Sequence, residues 1–204
     1  MADVDGDGFD EIVFGAMVVD HDGTGLYSTG RGHGDALHVS DMDPTNPGLE
    51  IFQPHEDTSI GNHTGSTLRD AATGRILSAA LIPYDGTNNW PDVGRGVAMD
   101  IDPNYPGYEY WDSAHSFIYD VHGNPIYAKP ANMHQNFGVW WDADLLRETL
   151  DGTTISDWNY NTAGRVNLVS FGNSGINSTA GLSSNNGTKS TPALSGDILG
   201  DWRE

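Results

Sequence analysis

The chain has 204 residues, with 9 Lys and Arg against 29 Asp and Glu, and a formal net charge of −20. That balance argues against nucleic acid as a partner, because phosphates are held by Lys and Arg that displace counterions. No apolar run approaches the ~20 residues of a membrane span, and the absence of Cys removes disulfides and thiolate metal sites alike. A hydrophobic share of 37% is enough for a packed core. The acidity fits a chain whose carboxylates hold divalent cations.

In chain order, the first element is a carboxylate loop, Asp3-Val-Asp5-Gly6-Asp7-Gly8, closed by Glu11 and followed by the strand-like run Phe9 to Phe14. Alternate carboxylates in a tight, glycine-relaxed loop form a hard-oxygen arrangement suited to calcium, close to the opening of an EF-hand loop but without its helices. Next come Gly32-His33-Gly34-Asp35-Ala36-Leu37-His38 and His55-Glu56-Asp57, which gather imidazole and carboxylate at strand edges. Each such histidine can equally be hydrogen-bonded within a turn. Glycines beside His33 let the backbone approach a ligand closely. Strand composition returns at Glu50 to Gln53, Ile76 to Ile82 and Glu109 to Trp111. Only Ala143 to Leu150 has helical spacing, with Leu145, Leu146 and Leu150 on one side, and one or two turns are expected there.

Two segments repeat. Asp41-Met-Asp43-Pro44-Thr-Asn-Pro47-Gly48-Leu-Glu50 matches Asp100-Ile-Asp102-Pro103-Asn-Tyr-Pro106-Gly107-Tyr-Glu109 at both aspartates, both prolines, the glycine and the glutamate. Asp41, Asp43 and Glu50, like Asp100, Asp102 and Glu109, are either further calcium ligands or turn-capping groups. Strand, turn, strand follows each copy, as in Arg69 to Leu77 and Tyr119 to Tyr127. A repeat of ~40–60 residues with about four short strands is the signature of propeller blades. The fold expected is therefore all-β, a calcium-stabilised β-propeller with blades near 1–35, 36–90, 91–135 and 136–204. Both ends read as cut: Met1 to Asp5 lacks the basic and apolar regions of a signal peptide, so any such signal is expected upstream.

Cations are scarce: two lysines, Lys129 and Lys189, and seven arginines. Asp92-Val93-Gly94-Arg95-Gly96 sets an arginine between glycines, and Asn185-Asn186-Gly187-Thr188-Lys189 sets a lysine in a polar loop. In so acidic a chain each either balances local carboxylates or meets an anionic ligand. Trp90, Trp140 and Trp141 offer faces for a sugar ring, or belong to the core.

Taken together, Asp3 to Gly8, Gly32 to His38, Arg69 to Gly74, Asp92 to Gly96, Asn136-Phe-Gly-Val-Trp-Trp-Asp142, Asn185 to Lys189 and Asp197-Ile-Leu-Gly-Asp-Trp-Arg203 resemble polysaccharide lyase family 11, the bacterial rhamnogalacturonan lyases. The resemblance implies an eight-bladed propeller, of which this chain is about half, with bound calcium and a central cleft. It places His33, Asp35 and Glu56 in the metal-containing part of that cleft. It likewise places Arg95 and Lys189 at the substrate, with Asn186, Gly187 and Thr188 around it, and makes His33, Arg95 and Lys189 the catalytic candidates. The substrate implied is rhamnogalacturonan I, an acidic plant cell-wall polysaccharide. The parent protein is expected to be monomeric and extracellular or periplasmic.

The inventory suits β-elimination at galacturonate. The proton α to an ionised carboxylate is poorly acidic, so a cation must spread the charge of the enolate-like intermediate. Arg95 and calcium suit that task. Lys189 is either the base or a carboxylate clamp. A calcium-stabilised propeller that only binds glycan or protein is the alternative. Glycoside hydrolysis by paired carboxylates fits less well, because most acids fall in metal-loop patterns.

Overall fold

The structure, a computed structural model, describes residues 1–60, 63–82, 86, 91–171 and 195–204. These form fifteen short strands and, among the described residues, no helix. The strands are β1 (Ile12–Phe14), β2 (Met17–Val19), β3 (Gly25–Ser28), β4 (His38–Ser40), β5 (Glu50–Pro54), β6 (Thr64–Asp70), β7 (Ile76–Leu81), β8 (Gly96–Met99), β9 (Glu109–Asp112), β10 (Phe117–Tyr119), β11 (Pro125–Ala128), β12 (Phe137–Val139), β13 (Glu148–Asp151), β14 (Thr154–Asn159) and β15 (Gly164–Ser170).

Each sheet is an antiparallel meander of consecutive strands: β1-β2-β3, β4-β5-β6-β7, β8-β9-β10-β11 and β12-β13-β14-β15. In the last three, the motif glutamate opens the second strand: Glu50 in β5, Glu109 in β9, Glu148 in β13. By the same register Glu11 precedes β1, and Ala2 bridges Glu11 where a first strand pairs in the other sheets.

Successive residues of a strand point to opposite faces, and here both faces are buried. Ile51 packs with Val4, Val18 and Ala71, whereas its neighbour Phe52 packs with Leu68, Ala98 and Tyr110. Tyr110 shares that second core, while Trp111 joins Val97, Met99, Ile118 and Trp158 in a third. Three cores thus fill three inter-sheet spaces. The two-sided burial explains why β5, β8 and β9 read as continuous apolar runs rather than alternating ones.

The helix expected over Ala143–Leu150 does not form. Asp142 Oδ1 accepts the Asp144 N–H (3.1 Å), Asp144 Oδ1 accepts the Leu146 N–H (2.7 Å), and Ala143 has a φ of 70°. Side-chain acceptors that capture nearby N–H groups favour turns over helix. Glu148 to Asp151 then pair with β12 and β14, and Leu145 is left 90% exposed.

One polar group ties the second sheet to the third. Asp112 at the end of β9 accepts from Ser66 Oγ of β6 (2.7 Å) and from His115 Nδ1 (2.8 Å), and His115 Nε2 donates to the Leu81 carbonyl (3.0 Å). Burial opposes charge on His115, but the hydrogen bond and charge of Asp112 outweigh it and raise its pKa above 6.5. Burial likewise opposes charge on Asp112, and its bonds to His115 and Ser66 hold it below 3.8. The stabilisation from His115 is complete below 6.5 and fades as pH rises through the raised value, and that from Asp112 fades as pH falls through the lowered one. Breaking a buried pair leaves its partner's charge uncompensated, so His115→Ala is expected to lower the denaturant-unfolding free energy by about 3–5 kcal/mol. A difference that does not shrink as pH rises through the raised histidine value, or none, would contradict this.

Candidate functional site

The meander register sorts the loops to two ends. The turns of residues 41–49, 100–108 and 140–147 lie at one end of the strands; residues 29–37, 55–60, 91–95, 113–116 and 129–136 lie at the other. The first end holds the Asp-rich loops, and the second gathers the candidate chemistry.

At the second end, Gly34 lies flat against the end of β5, where a Cβ would stand 1.8 Å from the Pro54 carbonyl oxygen. The Glu56 N–H donates to the His33 carbonyl (2.9 Å). These contacts carry His33 Nε2 to 3.5 Å from Glu56 Oε2 and 3.7 Å from Asp35 Oδ1. One ligand atom from each of the three residues lies within 4.8 Å of the others. That set, one imidazole and two carboxylates, can hold a divalent cation. The next loop closes over it. The Val93 N–H donates to the His55 carbonyl (3.2 Å), and a Cβ on Gly94 would meet Asp92 Oδ1 at 3.0 Å and Glu56 Oε1 at 3.5 Å. A cavity of about 210 Å³, floored by Phe14, Gly15 and Met17, opens beside His33.

Arg95 ends that loop, and its Nη1 donates to Asn136 Oδ1 (3.0 Å), whose Nδ2 donates to Asp151 Oδ1 (2.6 Å). A guanidinium is thus held across from the third sheet to the fourth. His55 and Asp57 take other roles. His55 turns inward to Thr67, and burial, with the charges of Arg69 and Arg31, pushes its pKa down to about 4, so it stays neutral. Asp57 accepts the Ser59 N–H of its own turn (3.1 Å). Asn186, Gly187, Thr188, Lys189 and Trp90 lie outside the described residues. Trp140 and Trp141 stand at the opposite end of the strands from His33. Arg147 covers the ring of Trp140 at 4.1 Å, and a hollow of about 560 Å³ beside Trp141 and Asp142 lies at that far end.

The Asp-rich end repeats one construction. Glu11 Oε2 accepts the Val4 N–H (2.8 Å), Glu50 Oε2 those of Met42 and Asp43, Glu109 Oε2 that of Ile101 (2.9 Å), and Glu148 Oε2 that of Trp141 (2.6 Å). The four glutamates are buried. In the first loop, Asp3, Asp5 and Glu11 bring ligand atoms together, as do Asp5, Asp7 and Asp20, and Asp7, Glu11 and His21. Sequence reading missed Asp20 and His21, which come from the β2–β3 turn.

It also missed a set at Asp142, Asp144 and Glu148. The signal there was another Asp-x-Asp followed by a strand-opening glutamate, masked by helical leucine spacing. In the second and third loops no such trio forms among the described residues. Asp43 Oδ1 caps Thr45 and Asp102 Oδ1 caps Asn104, each at its backbone N–H (2.9 Å). Asp41 stands exposed beside them.

Oxygen-rich loops of this kind could hold a hard cation, and buried carboxylate oxygens that lack a hydrogen bond mark where one would sit. Glu11 Oε1 and Glu109 Oε1 are buried with no hydrogen-bond partner among the described residues. Burial, together with the charges of Asp100 and Asp102, pushes Glu109 up to about 9; burial lifts Asp100 to about 6 and Glu148 to about 7. A carboxyl raised in this way holds a proton in the folded state that the unfolded chain has released above 4.5. Stability then falls as pH rises from there towards 9. With chelator present, the thermal midpoint is expected to decline over that range, and calcium is expected to flatten the decline. Identical slopes with and without calcium would contradict the assignment.

Comparison with known proteins places the chain in context. The model of rhamnogalacturonan lyase family 11, C-terminal domain, matches residues 1–204. A rhamnogalacturonan endolyase of Bacillus subtilis (strain 168), YesW, is 52% identical over 204 residues, covering 100% of this chain and 30% of its own length. A rhamnogalacturonan exolyase of the same organism, YesX, is 48% identical over 216 residues, covering 100% and 33%. The chain thus spans about a third of the length of these relatives. The crystal structure of YesW superposes with a TM-score of 0.84 at 50% identity, covering 99% of this chain and 31% of that one.

Proposed function

The chain belongs to rhamnogalacturonan lyase family 11, and from that premise we propose that the protein carrying it cleaves the rhamnogalacturonan I backbone by β-elimination at galacturonate, with calcium. The observation that carries this reading is the convergence of the His33, Asp35 and Glu56 group with the Asp92–Arg95 loop at one end of the strands. We take the four meanders as successive blades of a β-propeller, about half of an eight-bladed ring. Support comes from their consecutive order and from the packing of β8 against both β5 and β12.

In the reaction, the C5–H bond breaks, the C4–C5 double bond forms, and the C4–O bond to rhamnose breaks with its electrons on the leaving oxygen. A proton leaves C5 for a base and another reaches the departing oxygen. Arg95, held by Asn136 and Asp151, offers two N–H donors in a fork that matches the C6 carboxylate and opposes charge building on it. His33, Asp35 and Glu56 would hold the calcium ion, which when bound supplies Lewis-acid neutralisation of that carboxylate. Lys189, which lies outside the described residues, is the base in this reading. The remaining carboxylate loops bind calcium as struts of the fold. Because the polymer is a cell-wall component, the parent acts outside the cytoplasm.

Product chemistry tests the reaction class. After incubation of the whole protein with rhamnogalacturonan I in ¹⁸O-labelled water, mass spectrometry should find unsaturated ends without label. Saturated, labelled ends would mean hydrolysis, and no cleavage by folded, calcium-loaded protein would leave a binding propeller.

A further inference from the structure

The loops that flank Arg95 enclose a second polar hollow that neither the His33 group nor the carboxylate loops use. Ser113, His115, Ser116, Lys129, Met133 and Gln135 line a cavity of about 300 Å³. Its walls are continuous with the Arg95 site: the Ser113 N–H donates to the Arg95 carbonyl (2.9 Å), and Gln135 directly precedes the Asn136 that holds the guanidinium.

Within the hollow, His115 is committed, since both of its ring nitrogens are engaged by Asp112 and Leu81. Lys129 is only partly engaged: its ammonium donates to the Asp112 carbonyl and feels the Asp112 charge, but among the described residues it enters no ion pair. It is half-buried, and desolvation draws its pKa below the ordinary lysine value. Gln135 Oε1 is buried with no partner among the described residues. A half-buried ammonium, an unsatisfied amide and two hydroxyls around a cavity of this size suit a ring carrying one carboxylate and several hydroxyls. In a chain of net charge −20, such a cation is also a local exception that a polyanion would seek out.

We propose that this hollow is a second subsite for an acidic sugar, with Lys129 meeting its carboxylate while Ser113, Ser116 and Gln135 meet its hydroxyls. The proposal rests on the lyase reading and deepens it. Rhamnogalacturonan I carries a carboxylate on every second sugar, so a polymer with one galacturonate at Arg95 presents others further along the chain. Lys129 would hold one of those, away from the bond that breaks.

An interaction that is the same in ground and transition states moves KM and leaves kcat alone. In the whole calcium-loaded protein, Lys129→Met is expected to raise KM for polymeric rhamnogalacturonan I by about tenfold, the loss of one charged hydrogen bond, with kcat unchanged. Lys129→Arg should restore most of the KM. Should Lys129→Met fail to fold, Gln135→Leu carries the same test with a smaller rise. A KM unchanged in folded variants, or a fall in kcat alone, overturns the subsite while wild-type turnover leaves the lyase reading intact. If the wild type produces no unsaturated ends, the lyase reading fails instead. The subsite is then read by calorimetric titration with rhamnogalacturonan I oligosaccharides, where equal affinity of wild type and Lys129→Met overturns it.

Discussion

Arg95→Ala is expected to reduce kcat on rhamnogalacturonan I by about three orders of magnitude, with a smaller change in KM. Donors preorganised towards charge that builds in the transition state are worth on the order of 10²–10³ each in rate, and the guanidinium offers two in a fixed fork. Its preorganisation is visible in the relay from Asp151 through Asn136, which fixes one Nη before substrate arrives. Arg95→Lys keeps a charge but loses the fork, so it should recover only part of the rate. Arg95 is half-buried and its side chain meets Asn136 rather than the apolar cores, so thermal unfolding of the variant should stay close to wild type. Full activity in Arg95→Ala would remove this arginine from the chemistry.

Gly34→Ala should be nearly as damaging, for a purely steric reason. The new Cβ would fall 1.8 Å from the Pro54 carbonyl oxygen and 2.9 Å from its carbon, both rigid backbone atoms at the end of β5. The loop must lift, and it takes His33 and Asp35 away from Glu56. Displacement of about an ångström at a reacting centre costs on the order of 10²-fold in rate. The loop is partly exposed and the apolar cores lie elsewhere, so the protein should remain folded while losing activity and raising the calcium concentration it needs. Gly32→Ala is a useful contrast. Its Cβ would meet only the Ile60 side-chain tip at 2.8 Å, though its φ of 81° adds backbone strain, and a milder loss is expected.

What the sequence made legible follows from which interactions are local. Short β-rich runs bounded by Gly, Pro and Asp marked β1, β5, β7 and β9 correctly, because turn chemistry and strand composition are written within a few residues. Ala143–Leu150 misled because the leucine spacing is helical while two aspartates, Asp142 and Asp144, commit the backbone to turns. Arg95 stood out among few cations, but its partners Asn136 and Asp151 come from 41 and 56 residues away (136 − 95 and 151 − 95) and no spacing announces them. His21 and Asp20 joined the first acidic loop only through the β2–β3 turn. Trp140 and Trp141 invited a sugar-stacking role, and strand direction places them at the opposite end from His33. Lys129, one of two lysines in the sequence, gains interest only from the cavity it lines.

The most direct test of the central claim, a calcium-assisted elimination at the His33, Asp35, Glu56 and Arg95 group, is the initial rate of ultraviolet absorbance gained by the new double bond, followed against free calcium. The whole protein should give a saturable rise that chelator abolishes. Glu56→Gln should shift the calcium dependence to higher concentration, and Arg95→Ala should lower the plateau without shifting it. A rate indifferent to calcium and to both substitutions would contradict the account.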